Sequence, residues 1–420
     1  EFYRRKAVAI FGGGLKQDPG SDKNPIPGSV ATADLPTYID TTTQGHWLYM
    51  VDMETGEAIY KRRLLGAAPS EPAAVDTDQS GYINRIYIPT TGGLIYRVDL
   101  DIPGDLPGLE DLPVLDVNGF DHTVQRIIDS NWEPYPIFDT LAPVGPAGAG
   151  VDARRPIYHR PSVLFVAKLG QYAISFGTGD REDLFSNDSV LQHFYVVVDD
   201  TEWLGGMSTL PTPISPTGLA NFSADESFLT TFDDFLLTRP EGQRGWFIEL
   251  EPKERVITDA FALSGVSFFS SFQPLIEIDG LGDGADVCEE LPGEGCSASG
   301  SSNVFVVNTT NGNGFLTDES GDMTRFKTVS AFITNPFTEP GQNKNVDTTG
   351  GGTGGGTATS TADDLTDELR AVMETLKGLF PEACRFAEYR VDIKALAADT
   401  TLQFIAPIPT CVVMKNWREY

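Results

Sequence analysis

The sequence predicts an all-β chain arranged as a propeller of about seven blades, and three observations carry that expectation. Composition is the first: 43 glycines and 28 prolines supply turns, and 25 phenylalanines and 13 tyrosines favour pleated, half-buried strands. The second is a strand that recurs and ends in an acid or its amide. It reads Leu48-Tyr49-Met50-Val51-Asp52, Leu94-Ile95-Tyr96-Arg97-Val98-Asp99-Leu100, Phe194-Tyr195-Val196-Val197-Val198-Asp199 and Val304-Phe305-Val306-Val307-Asn308. Spacing is the third. Tyr49 and Tyr96 lie 47 residues apart and the later copies about twice that, as a repeat near ~50 residues would give if intervening copies have diverged. A multi-sheet sandwich accounts for the same strands, because short amphipathic strands do not by themselves fix topology.

Taken in order, residues 7–11 read as a strand closed by Gly12-Gly13-Gly14, a turn that lacks the Gly-Lys-Ser/Thr of a phosphate loop. Residues 46–60 hold two strands around Thr55-Gly56-Glu57. An Asp-rich loop, 76–84, runs into the strand 85–89. Residues 101–153 are acidic, proline-rich and poor in pattern, which marks a decorated blade or surface insertion with a short helical turn over 124–128. Two strands follow around Lys168-Leu169-Gly170-Gln171 and close on Phe176-Gly177-Thr178-Gly179. Gly245-Trp246-Phe247-Ile248-Glu249-Leu250 leads to Glu254-Arg255-Val256, and the nearly all-apolar run 265–272 calls for cover on both faces. The whole chain, 1–420, reads as one propeller domain that carries an insertion over 343–409. Within that insertion a Gly/Thr-rich linker precedes an amphipathic helix over 363–380, with Leu365, Leu369, Val372, Met373, Leu376 and Phe380 on one stripe and Pro381 as its stop. The stripe is expected to dock on the propeller.

The loop Asp76-Thr77-Asp78-Gln79-Ser80-Gly81-Tyr82-Ile83-Asn84 carries the most chemistry. Oxygen donors stand at positions one, three, five and nine (Asp76, Asp78, Ser80, Asn84), glycine at six and the Tyr82 carbonyl at seven, the arrangement of a calcium loop. Position twelve is Tyr87 rather than a bidentate acid, and the exit is a strand, so this is not an EF-hand. Two ionised ligands give modest affinity, on the order of 10⁻⁴ to 10⁻³ M. An Asx-rich turn that binds nothing uses the same residues. A second acidic stretch, Asp279, Asp283 and Asp286, fits no loop spacing and reads as a solvated turn.

A formal charge of −30 argues against nucleic acid or an anionic membrane surface as partner. No apolar run approaches the ~20 residues of a membrane span, and no signal peptide is visible. The chain opens Glu1-Phe2 without methionine and reads as a mature fragment. Cys288 with Cys296 and Cys384 with Cys411 match no zinc or redox spacing and read as two disulfides of an oxidising compartment, with buried free thiols as the other reading. His46, His122, His159 and His193 are scattered, no nucleophile elbow occurs, and Asp199-Asp200 and Asp233-Asp234 read as turn acids, so no catalytic site is expected.

The ordered set of Ile10-Phe11-Gly12-Gly13-Gly14, Leu48 to Asp52 with Thr55-Gly56-Glu57, the acidic loop leading into Arg85-Ile86-Tyr87, Ile95 to Leu100, Phe176 to Gly179, Gly245-Trp246, Glu254-Arg255-Val256, Cys296, Val304 to Asn308 and the closing Trp417-Arg418-Glu419 resembles the C-terminal domain of the PilY family. The resemblance implies a modified seven-bladed propeller of the quinoprotein-like type at a type IV pilus. Its implied roles are pilus assembly, pilus-tip adhesion, the balance of extension and retraction, twitching motility and surface attachment. It implies Ca2+ on Asp76, Asp78, Ser80, Tyr82 and Asn84, minor pilins and a surface or host receptor as partners, and an extracellular place at the pilus tip or outer cell surface. A further N-terminal region is also implied. Ser80 and Asn84 replace family aspartates, and the 343–409 insertion does not map onto the family's pattern. Two other classes compete: a quinone-dependent dehydrogenase, against which stand the lack of adjacent cysteines and only five tryptophans, and a secreted propeller that binds carbohydrate or protein.

Overall fold

The computed structural model describes residues 7–15, 26–38, 44–78, 80–100, 132–143, 152–185, 190–201, 211–223, 235–263, 265–275, 299–317, 323–329, 337–338, 385–394 and 401–410. The expected helices over 124–128 and 363–380, the four cysteines, Asp279, Asp283, Asp286 and Trp417 lie outside these residues. The chain divides into two compact units, Glu1–Ile333 and Thr334–Tyr420.

In the first unit, β1 (Val8–Gly12), β2 (Trp47–Asp52) and β3 (Ala58–Arg63) form an antiparallel sheet of three strands in that order. The second sheet runs β4 (Ala73–Val75), β5 (Arg85–Pro89), β6 (Leu94–Asp99), β7 (Tyr135–Asp139). The short strands β8 (Ala142–Pro143) and β9 (Asp152–Ala153) pair with each other. The third sheet contains β10 (Ser162–Val166), β11 (Gln171–Gly177), β12 (His193–Asp199), β13 (Ala220–Asn221) and β14 (Gly245–Glu249), in the order β10-β11-β12-β14-β13, with β13 parallel to β14. In the fourth, β15 (Arg255–Val256), β17 (Val266–Leu275), β18 (Ser299–Asn308) and β21 (Phe326–Val329) line up, with β16 (Phe261–Leu263) also on β17, while β19 (Leu316–Thr317) and β20 (Met323–Thr324) pair separately. In the second unit, β22 (Phe337–Thr338), β23 (Arg385–Lys394) and β24 (Thr401–Thr410) make a three-stranded antiparallel sheet.

The recurring strand of the sequence is an interior strand of each large sheet: β2, β6, β12 and β18. Its terminal residue has a local cause. Asp52, Asp199 and Asn308 each accept the backbone N–H two residues on, at 2.9, 3.2 and 2.8 Å, and Asp139 at the end of β7 does the same for Leu141 at 3.0 Å. The carboxylate or amide turns the chain out of the strand.

Successive sheets pack face to face in chain order. Leu48, Met50 and Tyr60 of the first sheet meet Ile86, Ile88, Leu94, Tyr96 and Val98 of the second. The opposite face of the second, with Tyr87, Ile95 and Phe138, meets Ile174, Phe176, Tyr195 and Val197 of the third. From the third sheet Phe194, Val196 and Trp246 then meet Phe269, Phe305 and Val307 of the fourth. Side chains alternate across a strand, so β6 and β12 serve a core on each face and are buried throughout. The sequence expected about seven blades by length; among the described residues the first unit holds four sheets of three or more strands and no closed ring of them. Where a diverged copy was expected between β6 and β12, the described residues supply strands of the second and third sheets and the β8–β9 pair.

Candidate metal centre

The loop 76–84 leaves β4 and re-enters the second sheet at β5. Backbone N–H groups curl it around its acids: Ser80 donates to Asp76 Oδ1 at 3.1 Å and to Asp78 Oδ1 at 3.0 Å, and Gly81 donates to Asp76 Oδ2 at 2.7 Å. Gly81 has φ +86°, the left-handed turn that glycine adopts without strain. The Ser80 hydroxyl accepts the Tyr82 N–H at 3.3 Å. Asp78 is held below the usual carboxylate range, first by a hydrogen bond from the Ser80 side chain and next by one from the Asp76 side chain.

Asp76, Asp78 and Ser80 are therefore brought together, and Asn84 is not. Its Oδ1 accepts the Thr77 N–H at 2.8 Å and the Thr77 hydroxyl at 3.0 Å, which fills both lone pairs, and the residue is buried. Asn84 staples the two ends of the loop, and its backbone holds the staple to the sheet through Asn84 N–H to Val75 O at 3.1 Å and Leu100 N–H to Asn84 O at 2.8 Å. The donor set suits a hard cation in chemistry: each described carboxylate oxygen keeps acceptor capacity beyond its backbone bond, and two carboxylates gathered on one backbone N–H repel unless a proton or a cation offsets their charge. Among the described residues no group of three or more His, Cys, Asp or Glu converges on one point, so hydroxyl and carbonyl oxygens would complete the shell.

Beneath the loop lies a buried ionic cluster that sequence reasoning missed. Arg97, fully buried, gives Nε and Nη2 to Asp99 at 2.8 and 2.9 Å and Nη1 to Asp199 of the third sheet at 2.9 Å. Tyr87 donates its hydroxyl to Asp199 at 2.5 Å, and Arg85, next to Asn84, reaches Asp99 at 3.0 Å and Asp199 at 3.6 Å. Burial and then the Asp199 charge push the Tyr87 phenol well above its ordinary range. For Arg97 burial works downward, but Asp199 and Asp99 outweigh it and the guanidinium is held charged. Asp199, expected as a solvated turn acid, is buried as the hinge of this cluster because the alternation of β12 turns it towards the second sheet. Strand alternation carried the signal: Arg85, Tyr87, Arg97 and Asp99 occupy the same inward-facing parity as Ile95. A further tie, Tyr172 hydroxyl to Thr77 O at 3.4 Å, links β11 to the loop.

The described histidines are core residues. His193 Nδ1 lies 2.6 Å from the Tyr195 hydroxyl and its ring stacks on Phe247, with burial and the Arg155 charge holding it well below the usual imidazole range. His159 Nδ1 lies 3.4 Å from Asp259. No described helix is long and apolar enough to cross a membrane.

No protein-family profile matches the chain, and no curated protein matches it. Among solved structures, it is similar to the crystal structure of the Pseudomonas aeruginosa PilY1 C-terminal domain, with 16% sequence identity, a TM-score of 0.46 and 70% of this chain covered. The match spans 63% of the length of that solved chain.

Proposed function

We propose that this chain is a calcium-binding, non-catalytic component of a type IV pilus, acting in assembly and tip adhesion and so in extension, retraction, twitching and surface attachment. The ordered motifs quoted above support the pilus reading, together with the extracellular place, the minor-pilin and receptor partners and the modified seven-bladed propeller that the resemblance implies. The four sheets packed in chain order suit consecutive blades of such a propeller. One observation carries the calcium reading: the Ser80 N–H bonds Asp76 Oδ1 and Asp78 Oδ1 together, so both carboxyls are gathered on a loop coiled by its own backbone N–H groups.

Asp76, Asp78, the Ser80 hydroxyl and the Tyr82 carbonyl would hold the ion, while Asn84, whose Oδ1 is spent on Thr77, would hold the loop ends rather than the metal. Calcium would supply the countercharge that two neighbouring carboxylates call for. The chain's own residues do the rest. Asn84 locks the loop ends, Arg85 hands the loop's position to Asp99 and Asp199, and Tyr172 fixes Thr77, so the loop's conformation is tied to two sheets.

Calorimetric titration with calcium and melting in excess calcium or chelator test the site. We expect one ion per chain and a rise in melting temperature, corresponding to about 2.7 kcal/mol at a hundredfold excess over Kd, both lost in Asp76→Ala. Absence of heat and of any shift would reduce the loop to a turn. For the pilus role, Asp78→Ala in the full-length protein is expected to impair piliation and adhesion, and wild-type levels of both would remove calcium from the regulation.

A further inference from the structure

We propose that residues 156–160 are an acid-released latch, in which protonation of the buried His159 side chain frees this segment from the fourth sheet. The segment runs from β9 to β10 and touches the second, third and fourth sheets in turn. Ile157 donates its N–H to Thr90 O at 3.2 Å, in the turn between β5 and β6, and Pro156 O accepts the Gly179 N–H at 3.0 Å, just past β11. At the other end Arg160 donates its N–H to Asp259 Oδ1 at 2.9 Å, and its carbonyl accepts the Ala260 N–H at 3.3 Å, between β15 and β16. His159 stands beside that last tie, with Nδ1 3.4 Å from the same Asp259 oxygen.

The surroundings of the ring suit the neutral imidazole and oppose the cation. An ionised Asp259 only accepts, so Nδ1 carries the proton and Nε2 the lone pair. Nε2 is buried and has no hydrogen-bond partner among the described residues. A second proton would therefore create a buried N–H donor without an acceptor, on a ring that is 3% exposed. Compensation is small, because the contact to Asp259 is long for a hydrogen bond and that carboxylate is 39% exposed and screened by water. Of the other charges, Arg181 in the turn after β11 opposes a second cation, and Arg160 is turned to Glu71 at 3.6 Å. Asp180, Glu182 and Asp183 act on the neighbouring Tyr158. Burial, aided by the Arg181 charge, outweighs the pull of Asp259 and holds His159 below the usual imidazole range. On Asp259 burial works upward, but hydrogen bonds from the His159 side chain and the Arg160 N–H outweigh it, so it stays ionised while His159 titrates.

Once the segment is released, His159 takes up its proton near the ordinary value of about 6.5; in place, it does so only at lower pH. Below pH ~6.5 the released form therefore binds more protons, and acid favours release; above that pH the penalty is absent. Neither Asp76 nor Asp78 takes part, so the latch is independent of the calcium reading.

Amide exchange followed by NMR tests the latch, on the whole chain in chelator at pH 7.5 and 5.0, with intrinsic rates divided out. Protection of Arg160 and Ala260 is expected to fall several-fold at pH 5.0, with about thirtyfold as the ceiling for one proton. Ile174 and Val196 in the β11–β12 core should keep theirs. That contrast separates His159 from His193, which is also buried but lies in β12 and would loosen that strand instead. His159→Gln, which keeps an N–H for Asp259 and takes up no proton, should show the same protection of Arg160 and Ala260 at both pH values. In the wild type the His159 ring resonances should titrate below the usual imidazole range, a measurement that needs no variant. Equal protection at the two pH values overturns the proposal, as does a loss shared by Ile174 and Val196, a loss that persists in His159→Gln, or a ring that titrates at or above the ordinary value.

Discussion

Arg97 is the residue on which two sheets agree. Its guanidinium is fully buried and spends its donors on Asp99, Asp199 and the Thr201 carbonyl, at 2.8 to 3.0 Å. Such a pair is costly to desolvate, and its removal from one side only is costlier still, because the remaining charge has no water to return to. Arg97→Met should therefore lower unfolding stability by about 3–5 kcal/mol, by leaving Asp199 with the neutral Tyr87 hydroxyl and the Thr201 N–H, and with the more distant Arg85 as the nearest cation this cluster offers. Urea unfolding monitored by fluorescence measures this, and a loss below about 1 kcal/mol would show that the cluster is solvated in solution. Arg97→Met with Asp199→Leu should recover much of the loss, since the apolar pair fills the gap without a stranded charge.

At the scale of elements, the strands were the most legible part of the sequence. The recurring strands β6 and β12 are buried on both parities, and the closing Asp or Asn of β2, β12 and β18 is the residue that starts the next turn. What stayed hidden was partnership between elements. Nothing local to Val196 announces that β14 approaches it so closely that a Cβ on Gly245, at φ +147°, would lie 2.0 Å from the Val196 carbonyl oxygen. Likewise the spacing of the metal loop located Asp76, Asp78 and Ser80 but did not show that Asn84 spends its oxygen on Thr77, a choice made by the fit of the loop to β4 and β6. Gly245→Ala should open the β12–β14 seam and cost about 1–3 kcal/mol, seen as a lower melting temperature with faster amide exchange in β12 and β14. Unchanged exchange in those two strands would mean that the seam tolerates a methyl group.

For the molecule as a whole, the net charge of −30 has to be separated from the loop before any calcium effect is assigned. A chain with that imbalance repels itself in the folded state, so salt of any kind stabilises it by screening, over a Debye length of about 8 Å at 0.15 M. Divalent ions screen more effectively than monovalent ones and would raise the melting temperature even with no site. A site acts differently: it responds to ion size and coordination, and it vanishes with its ligands. Magnesium demands near-ideal octahedral geometry and gives up water reluctantly, whereas calcium accepts the irregular oxygen set of a carboxylate pair, a hydroxyl and a carbonyl. In 0.15 M sodium chloride we therefore expect equal, small shifts from magnesium in the wild type and in Asp76→Ala, and an additional shift from calcium in the wild type alone. Amide exchange should place that additional protection in 76–84 and in the adjoining ends of β5, β6 and β12, which Arg85, Asn84 and Asp199 tie to the loop. If calcium and magnesium shift both proteins alike, the effect belongs to the charge of the entire surface and the loop is a turn.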